Sequence, residues 1–196
     1  RGSVLLDGKN VGAVKARAIP AVRRLIGQVF QDHRLLADRS AFDNVALPLV
    51  IASAPRAEIE KRVRAALDKV GLLARERALP AQLSAGEQQR VGIARAIAAR
   101  PALVIADEPT GNLDPQLAAE IMALFATLTQ GGTTVLVASH DLHLIQRLRR
   151  RVLLTSDAFL ARVVLVHPGK EILGPKLREC QQKVAEVALR VDHKRR

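Results

Sequence analysis

The sequence predicts an α/β domain in which a parallel sheet carries a helical insert, and three observations make that prediction. Two continuous apolar runs, ALVIAD ending at Asp107 and TTVLVASH ending at His140, have the composition of strands buried on both faces. A helical pattern over residues 115–128 lies between them. Strand, helix and strand in that order form a right-handed crossover, which makes the two strands parallel and brings both of their C-terminal ends to one edge of the sheet. The third observation is that between about Ser40 and Arg100 the pattern becomes helical.

In chain order, residues 3–6 (SVLL) read as a short strand ending at the turn Asp7-Gly8, and residues 25–30 (LIGQVF) as a second apolar run closed by Gln31. The segment EIEKRVRAALDKVGLL places Ile59, Val63, Ala66, Leu67 and Val70 on one helical face, so it belongs to a compact helical insert. The two buried strands and their crossover helix follow. From about Asp157 the character changes. Residues 162–166 (RVVLV) read as a strand, and a helix is expected after Gly174-Pro175 with Leu177, Cys180, Val184, Val187 and Val191 at 3,4 spacing.

Composition bounds the function. The chain has 196 residues, 48% of them hydrophobic and 26% charged, enough apolar surface for one packed domain and too much for disorder or a collagen-like repeat. Its 31 Lys and Arg against 19 Asp and Glu invite an anionic partner. The larger share of that excess lies from Arg147 onward, in RLRRR and the basic tail. Four Phe and no Trp or Tyr leave the chain without the stacking residues of single-strand and RNA binders, so no nucleic acid partner is expected. A single cysteine, Cys180, allows no internal disulfide and suits a reducing compartment. No apolar run approaches the roughly 18 residues that span a bilayer, so membrane association would run through a partner or a surface patch.

Several residues have types and positions that suit phosphate chemistry. Asp107 and Glu108 end a buried strand at the sheet edge where ligands bind in open α/β folds. A carboxylate there can hold Mg²⁺, and its neighbour can orient or deprotonate an attacking water; the plain alternative is a solvated strand end. His140 ends the next strand on the same edge, as a contact to phosphate or as a satisfied surface histidine. Ser84-Ala85-Gly86-Glu87 opens the helical stretch EQQRVGIARAIAAR. Ser84 with Glu87 is a capping box, and the same helix start offers amide donors to a phosphate. Asp114 before Pro115 reads as an N-cap, and Gln31 either ligates an ion or ends a ladder. No G-x-x-x-x-G-K-[ST] loop is present: Gly8-Lys9 is followed by Asn10 with Ser3 at the first glycine position, and Gly169-Lys170 by Glu171 with Val164 there.

Taken in order, VFQDHRLLADRSAFDNVALPL, QLSAGEQQRVGIARAIAARPALVIADEPTGNLD and TVLVASHD resemble the nucleotide-binding domain of ABC-type ATPases. The resemblance covers residues 1–156, and QDHRLLADRS, DNVALPL and AALDKVGLL are most similar to its cell-division branch. It implies a P-loop NTPase fold with a RecA-like parallel sheet core and an inserted helical subdomain at about 38–100, followed by an atypical basic tail at 157–196. It implies ATP and Mg²⁺ as ligands. Gln31 would be the glutamine that touches Mg²⁺ and the attacking water. Ser84, Gly86 and Glu87 would form the signature motif that holds the γ-phosphate of ATP bound by the other subunit. Asp107 would serve Mg²⁺, Glu108 would polarise water, Asp114 would lie between subunits, and His140 would contact the γ-phosphate.

The implied assembly is a head-to-tail homodimer closing over two ATP molecules, joined to an integral membrane partner on the cytoplasmic face of the bacterial inner membrane as a peripheral protein. Cell division is the implied process, with lipoprotein release or macrolide export as the alternative, and a non-catalytic remnant serving only dimerisation or partner binding as an alternative of another class. Three departures accompany the resemblance: Ala85 stands where the family usually has glycine, the family's first strand and Walker A loop, with the aromatic that stacks on adenine, would precede Ser3, and after about Ser156 the likeness fades, the chain running on as AFLARVVLV and a basic helix where the family has a short glycine-containing strand and turn.

Overall fold

The computed structural model describes residues 5–6, 9–111, 113–139, 151–154 and 161–165, and the chain divides into two units, Arg1–Ile105 and Ala106–Arg196. His140 and the helix expected after Gly174-Pro175 lie outside the described residues.

The first unit opens with a short antiparallel pair, β1 (Leu5–Leu6) and β2 (Lys9–Asn10), with Leu5 opposite Asn10. Helix α1 (Ile19–Arg24) then leads into β3 (Ile26–Val29), whose burial alternates so that Gly27 and Val29 face inward. Both Ala102 N and Leu103 N donate to Leu25 O, at 2.9 and 3.1 Å, so β3 and β4 (Leu103–Asp107) start side by side and run in the same direction.

Three helices fill the expected insert. Helix α2 (Ala41–Ile51) starts where Ser40 Oγ accepts from Asp43 N at 3.1 Å. Helix α3 (Arg56–Lys69) buries Val63, Ala66 and Leu67, a stripe that Val70 continues and at whose end Ile59 is half-buried, as its spacing predicts. Helix α4 (Ala85–Ala98) is enclosed on most sides, with Val91, Ile93, Ala94, Ala96 and Ile97 buried, and packs on α2, α3 and β3. Its small residues let a strand come close. At Gly27 of β3 an added Cβ would stand 2.2 Å from Ala96 O.

In the second unit the end of β4, helix α5 (Pro115–Gln130) and β5 (Thr134–Ala138) form the crossover read from the sequence. Glu108 N donates to Ala138 O at 2.9 Å, joining the two strand ends and fixing their parallel direction. Phe125, Ile121 and Met122 of α5 are buried along with Val135 and Val137 of β5. On its other side β5 pairs antiparallel with β7 (Ala161–Leu165), Ala138 opposite Arg162, and β7 pairs antiparallel with β6 (Arg151–Leu154). The expected strand at 162–166 is therefore present, one residue earlier. The strand β6 was not expected, because Arg149, Arg150 and Arg151 cut its apolar run short.

Candidate functional site

In the second unit the carboxylates stand where β4 ends. Alternation buries Ala106 and leaves Asp107 exposed, an oxygen donor open to a hard cation. Glu108 is 9% exposed and has φ 43°. A non-glycine residue in this left-handed conformation costs about 1 kcal/mol or more and persists only when its surroundings hold it. Here the hold comes from three sides: Glu108 N donates to Ala138 O, Gly111 N donates to Glu108 O at 3.2 Å, and Ser139 Oγ donates to Glu108 Oε2 at 3.3 Å. Ser139, 1% exposed, orients the Glu108 carboxylate. A carboxylate so placed is suited to take a proton from, or polarise, a water.

Sequence reasoning passed over Ser139. Its only signal was its place at the end of the second buried strand, one residue before His140. Asp114 is the N-cap of α5, its Oδ1 accepting from Gln116 N and Leu117 N at 3.0 Å each, with Pro115 in the first helical position. The expectation of a cap is met in full.

In the first unit, Ser84 caps α4 reciprocally with Glu87. Ser84 Oγ accepts from Glu87 N at 3.2 Å, and Glu87 Oε2 accepts from Ser84 N at 2.8 Å. That takes up two of the helix's first amides. Among the described residues neither Ala85 nor Gly86 donates its N–H to another group. Two amides at the positive end of a helix of 14 residues are donors suited to an anion. The preceding turn is fixed by Arg75, whose Nη2 donates to Gln82 O at 2.6 Å, and by Gln88, whose Nε2 donates to Pro80 O and Leu83 O at 3.0 and 3.1 Å.

The hydrogen bond from Ser84 N–H holds the Glu87 carboxyl below its ordinary value of 4.5, with help from the Ser84 side chain, Arg75 and Arg90 and against the opposing push of partial burial. A carboxylate whose folded pKa is depressed adds stability above its unfolded pKa and loses it as pH falls through the folded one. E87Q keeps the cap geometry but not the charge. Its urea midpoint should fall below that of the parent at pH 7, and the two should converge as pH drops below about 4. A gap independent of pH would show that the charge adds nothing.

Gln31 is exposed in the turn that leaves β3. The next residues are held by the helices. Asn44 of α2, fully buried, accepts from Leu36 N at 2.8 Å through Oδ1 and donates to Leu36 O and Arg39 O at 3.1 Å each. His33 Nδ1 meets the side-chain oxygen of the buried Gln89 of α4. Arg95 of α4 donates to the carbonyls of His33 and Arg34, at 2.7 Å each. None of these partners was singled out in the sequence. Asn44 and Arg95 lie inside quoted stretches but carry no spacing that marks them.

Gln31, Ser84, Gly86 and Glu87 thus belong to the first unit, and Asp107, Glu108 and Asp114 to the second. Among the described residues no three His, Cys, Asp or Glu side chains gather as a metal cluster.

Residues 1–111 match the family described as ABC transporter. The chain is 52% identical over 159 residues to the cell division ATP-binding protein FtsE of Escherichia coli (strain K12), covering 81% of this chain and 72% of that protein. It is 43% identical over 162 residues to FtsE of Bacillus subtilis (strain 168), covering 83% and 71%. Among solved structures it is similar to the ATP-binding cassette MJ0796, dimeric in a post-hydrolysis state bound to ADP and Pi, with a TM-score of 0.68 and 35% identity. That match covers 74% of this chain and 65% of the solved one, just under two thirds of its length. A family match over more than half of the chain, and 52% identity to FtsE over 81% of it, lead to one assignment: the chain belongs to the ABC transporter family, as an ABC ATPase most like FtsE.

Proposed function

We propose that the protein hydrolyses ATP as the nucleotide-binding subunit of an FtsEX-like complex in bacterial cell division, coupling ATP-driven closure of a head-to-tail homodimer to an integral membrane partner resembling FtsX. The observation that carries this reading is the 52% identity to FtsE. The dimeric state of the similar cassette supports the homodimer. The attachment is peripheral, at the cytoplasmic face of the inner membrane. Among the described residues no helix is long and apolar enough to cross a membrane.

The residue chemistry fits ATP and Mg²⁺. Asp107 is an exposed carboxylate and Gln31 an exposed amide, both oxygen donors of the kind a hard cation takes. When bound, Mg²⁺ supplies charge neutralisation to the phosphates. Glu108, strained and oriented by Ser139, holds the water whose oxygen attacks the γ-phosphorus as the bond to the β–γ bridging oxygen breaks and ADP leaves, and it takes the proton the water gives up. The amides of Ala85 and Gly86 at the head of α4, with Ser84, bind the γ-phosphate of the nucleotide held by the partner subunit. Asp114 lies at the subunit boundary, and His140 contacts the γ-phosphate.

The test is phosphate release by the full-length protein with Mg²⁺ and with EDTA, alone and in membranes with its transmembrane partner. Turnover that needs Mg²⁺ and changes with an FtsX-like partner is expected. Turnover that responds instead to a lipoprotein-release or macrolide-export permease would move the protein to that branch. Absence of any turnover would leave a dimerisation or partner-binding module.

A further inference from the structure

The turn after Gln31 is strained twice. His33 has φ 60° and Arg34 φ 46°, two successive non-glycine residues in the left-handed region. Such a turn costs about 1–3 kcal/mol per residue and survives only where its neighbours hold it in place. The local contacts lie within the turn itself: His33 N donates to Phe30 O at 3.3 Å and Arg34 N to Asp32 O at 2.6 Å, Arg34 Nε donates to Asp32 Oδ1 at 3.1 Å with both side chains exposed, and its guanidinium lies 4.3 Å from the centre of the Phe30 ring. The stronger hold comes from helix α4, about sixty residues away in sequence. Arg95 places one guanidinium nitrogen on each of the two strained carbonyls, Nη1 on Arg34 O and Nη2 on His33 O, at 2.7 Å each. Gln89, two turns earlier on the same helix, meets the His33 ring.

We infer that Arg95 is a positioning residue for ATP hydrolysis, its guanidinium fork fastening the His33-Arg34 turn to α4 so that Gln31 and the Ser84-Gly86 end of that helix hold one fixed relation. The inference rests on the roles proposed for Gln31 and Ser84. The chemistry is particular to arginine. Two carbonyls side by side match a planar fork, and the point charge of a lysine ammonium cannot hold both in the same orientation. Partial burial also lowers the Arg95 pKa, as expected of a guanidinium turned partly from water to serve two carbonyls. Misplacing a group at a reacting centre by about 1 Å costs on the order of a hundredfold, so loss of the fork should be read in turnover.

The test is a double-mutant cycle in the full-length protein, with R95M, R95K, Q31A and the R95M/Q31A pair, reading kcat and KM for ATP. R95M and R95K should both lower kcat by about tenfold to a hundredfold with KM little changed. In the Q31A background R95M should cost less than about twofold more, because the group it positions is already gone. Amide exchange should rise at residues 33–36 in R95M and stay unchanged in the interior of α4. Three results would overturn the inference: full activity of R95K, an R95M effect that multiplies undiminished onto Q31A, or exchange raised along all of α4. Full activity of Q31A would remove the role of Gln31 instead, and the exchange at 33–36 would still show whether Arg95 holds the turn.

Discussion

E108Q is expected to lower ATP turnover of the full-length protein by about 10²- to 10⁴-fold, the range over which a positioned general base contributes, with the fold intact. The amide has the carboxylate's shape, and its oxygen can still accept from Ser139 Oγ, which holds the present side chain at 3.3 Å. The left-handed backbone at Glu108 is fixed by main-chain hydrogen bonds to Ala138 and Gly111 that the substitution leaves alone. What is lost is the negative charge and the basic lone pair. ATP binding should persist because no phosphate contact is assigned to Glu108. Phosphate release and nucleotide binding measured side by side separate the two effects. Turnover near that of the parent would place the base elsewhere.

G27A should destabilise the first unit by about 3 kcal/mol or more. A methyl there would stand 2.2 Å from Ala96 O and 3.0 Å from both Ala96 C and Pro101 Cγ. The nearest atom is main chain in the last turn of a packed helix, so no rotamer change relieves the clash. Strand β3 would have to leave α4, and with it the strand end that presents Gln31. G92A is the control. Its added Cβ would stand 3.8 Å from His33 O, an ordinary contact, and alanine is the better helix former. Its unfolding free energy from urea titration should lie within about 1 kcal/mol of the parent's, on the favourable side. Equal midpoints for G27A and the parent would show that β3 and α4 do not approach as closely as this.

Which parts of this architecture were legible in the sequence follows from the range of the forces involved. The strands ending at Asp107 and Ala138 were legible because burial on both faces leaves an unbroken apolar run, and the caps at Ser84 and Asp114 because capping is local chemistry over three or four residues. The stripe Val63, Ala66, Leu67 and Val70 was legible as a period. Residues that choose partners across the fold were not. Arg95 reaches His33 across 62 positions, and Ser139 reaches Glu108 across 31. No period or spacing links such pairs, and arginine and serine are unremarkable in a helix and at a strand end. The left-handed turns at His33-Arg34 and Glu108 were hidden for the opposite reason: no glycine or asparagine marks them, since tertiary contacts impose the conformation. Strand β6 was concealed by the arginines before it. The proposed site residues are therefore marked by order and motif, and the residues that hold them in place only by the fold.

The central claim is that this chain works as an ATP-closed dimer whose water is activated by Glu108. It is tested most directly by the solution mass of full-length E108Q, measured by light scattering with ATP and Mg²⁺ and again with ADP. The expected result is a doubled mass with ATP, one nucleotide retained per subunit, and a return to monomer with ADP. A protein that binds ATP and remains a monomer in both would contradict the account.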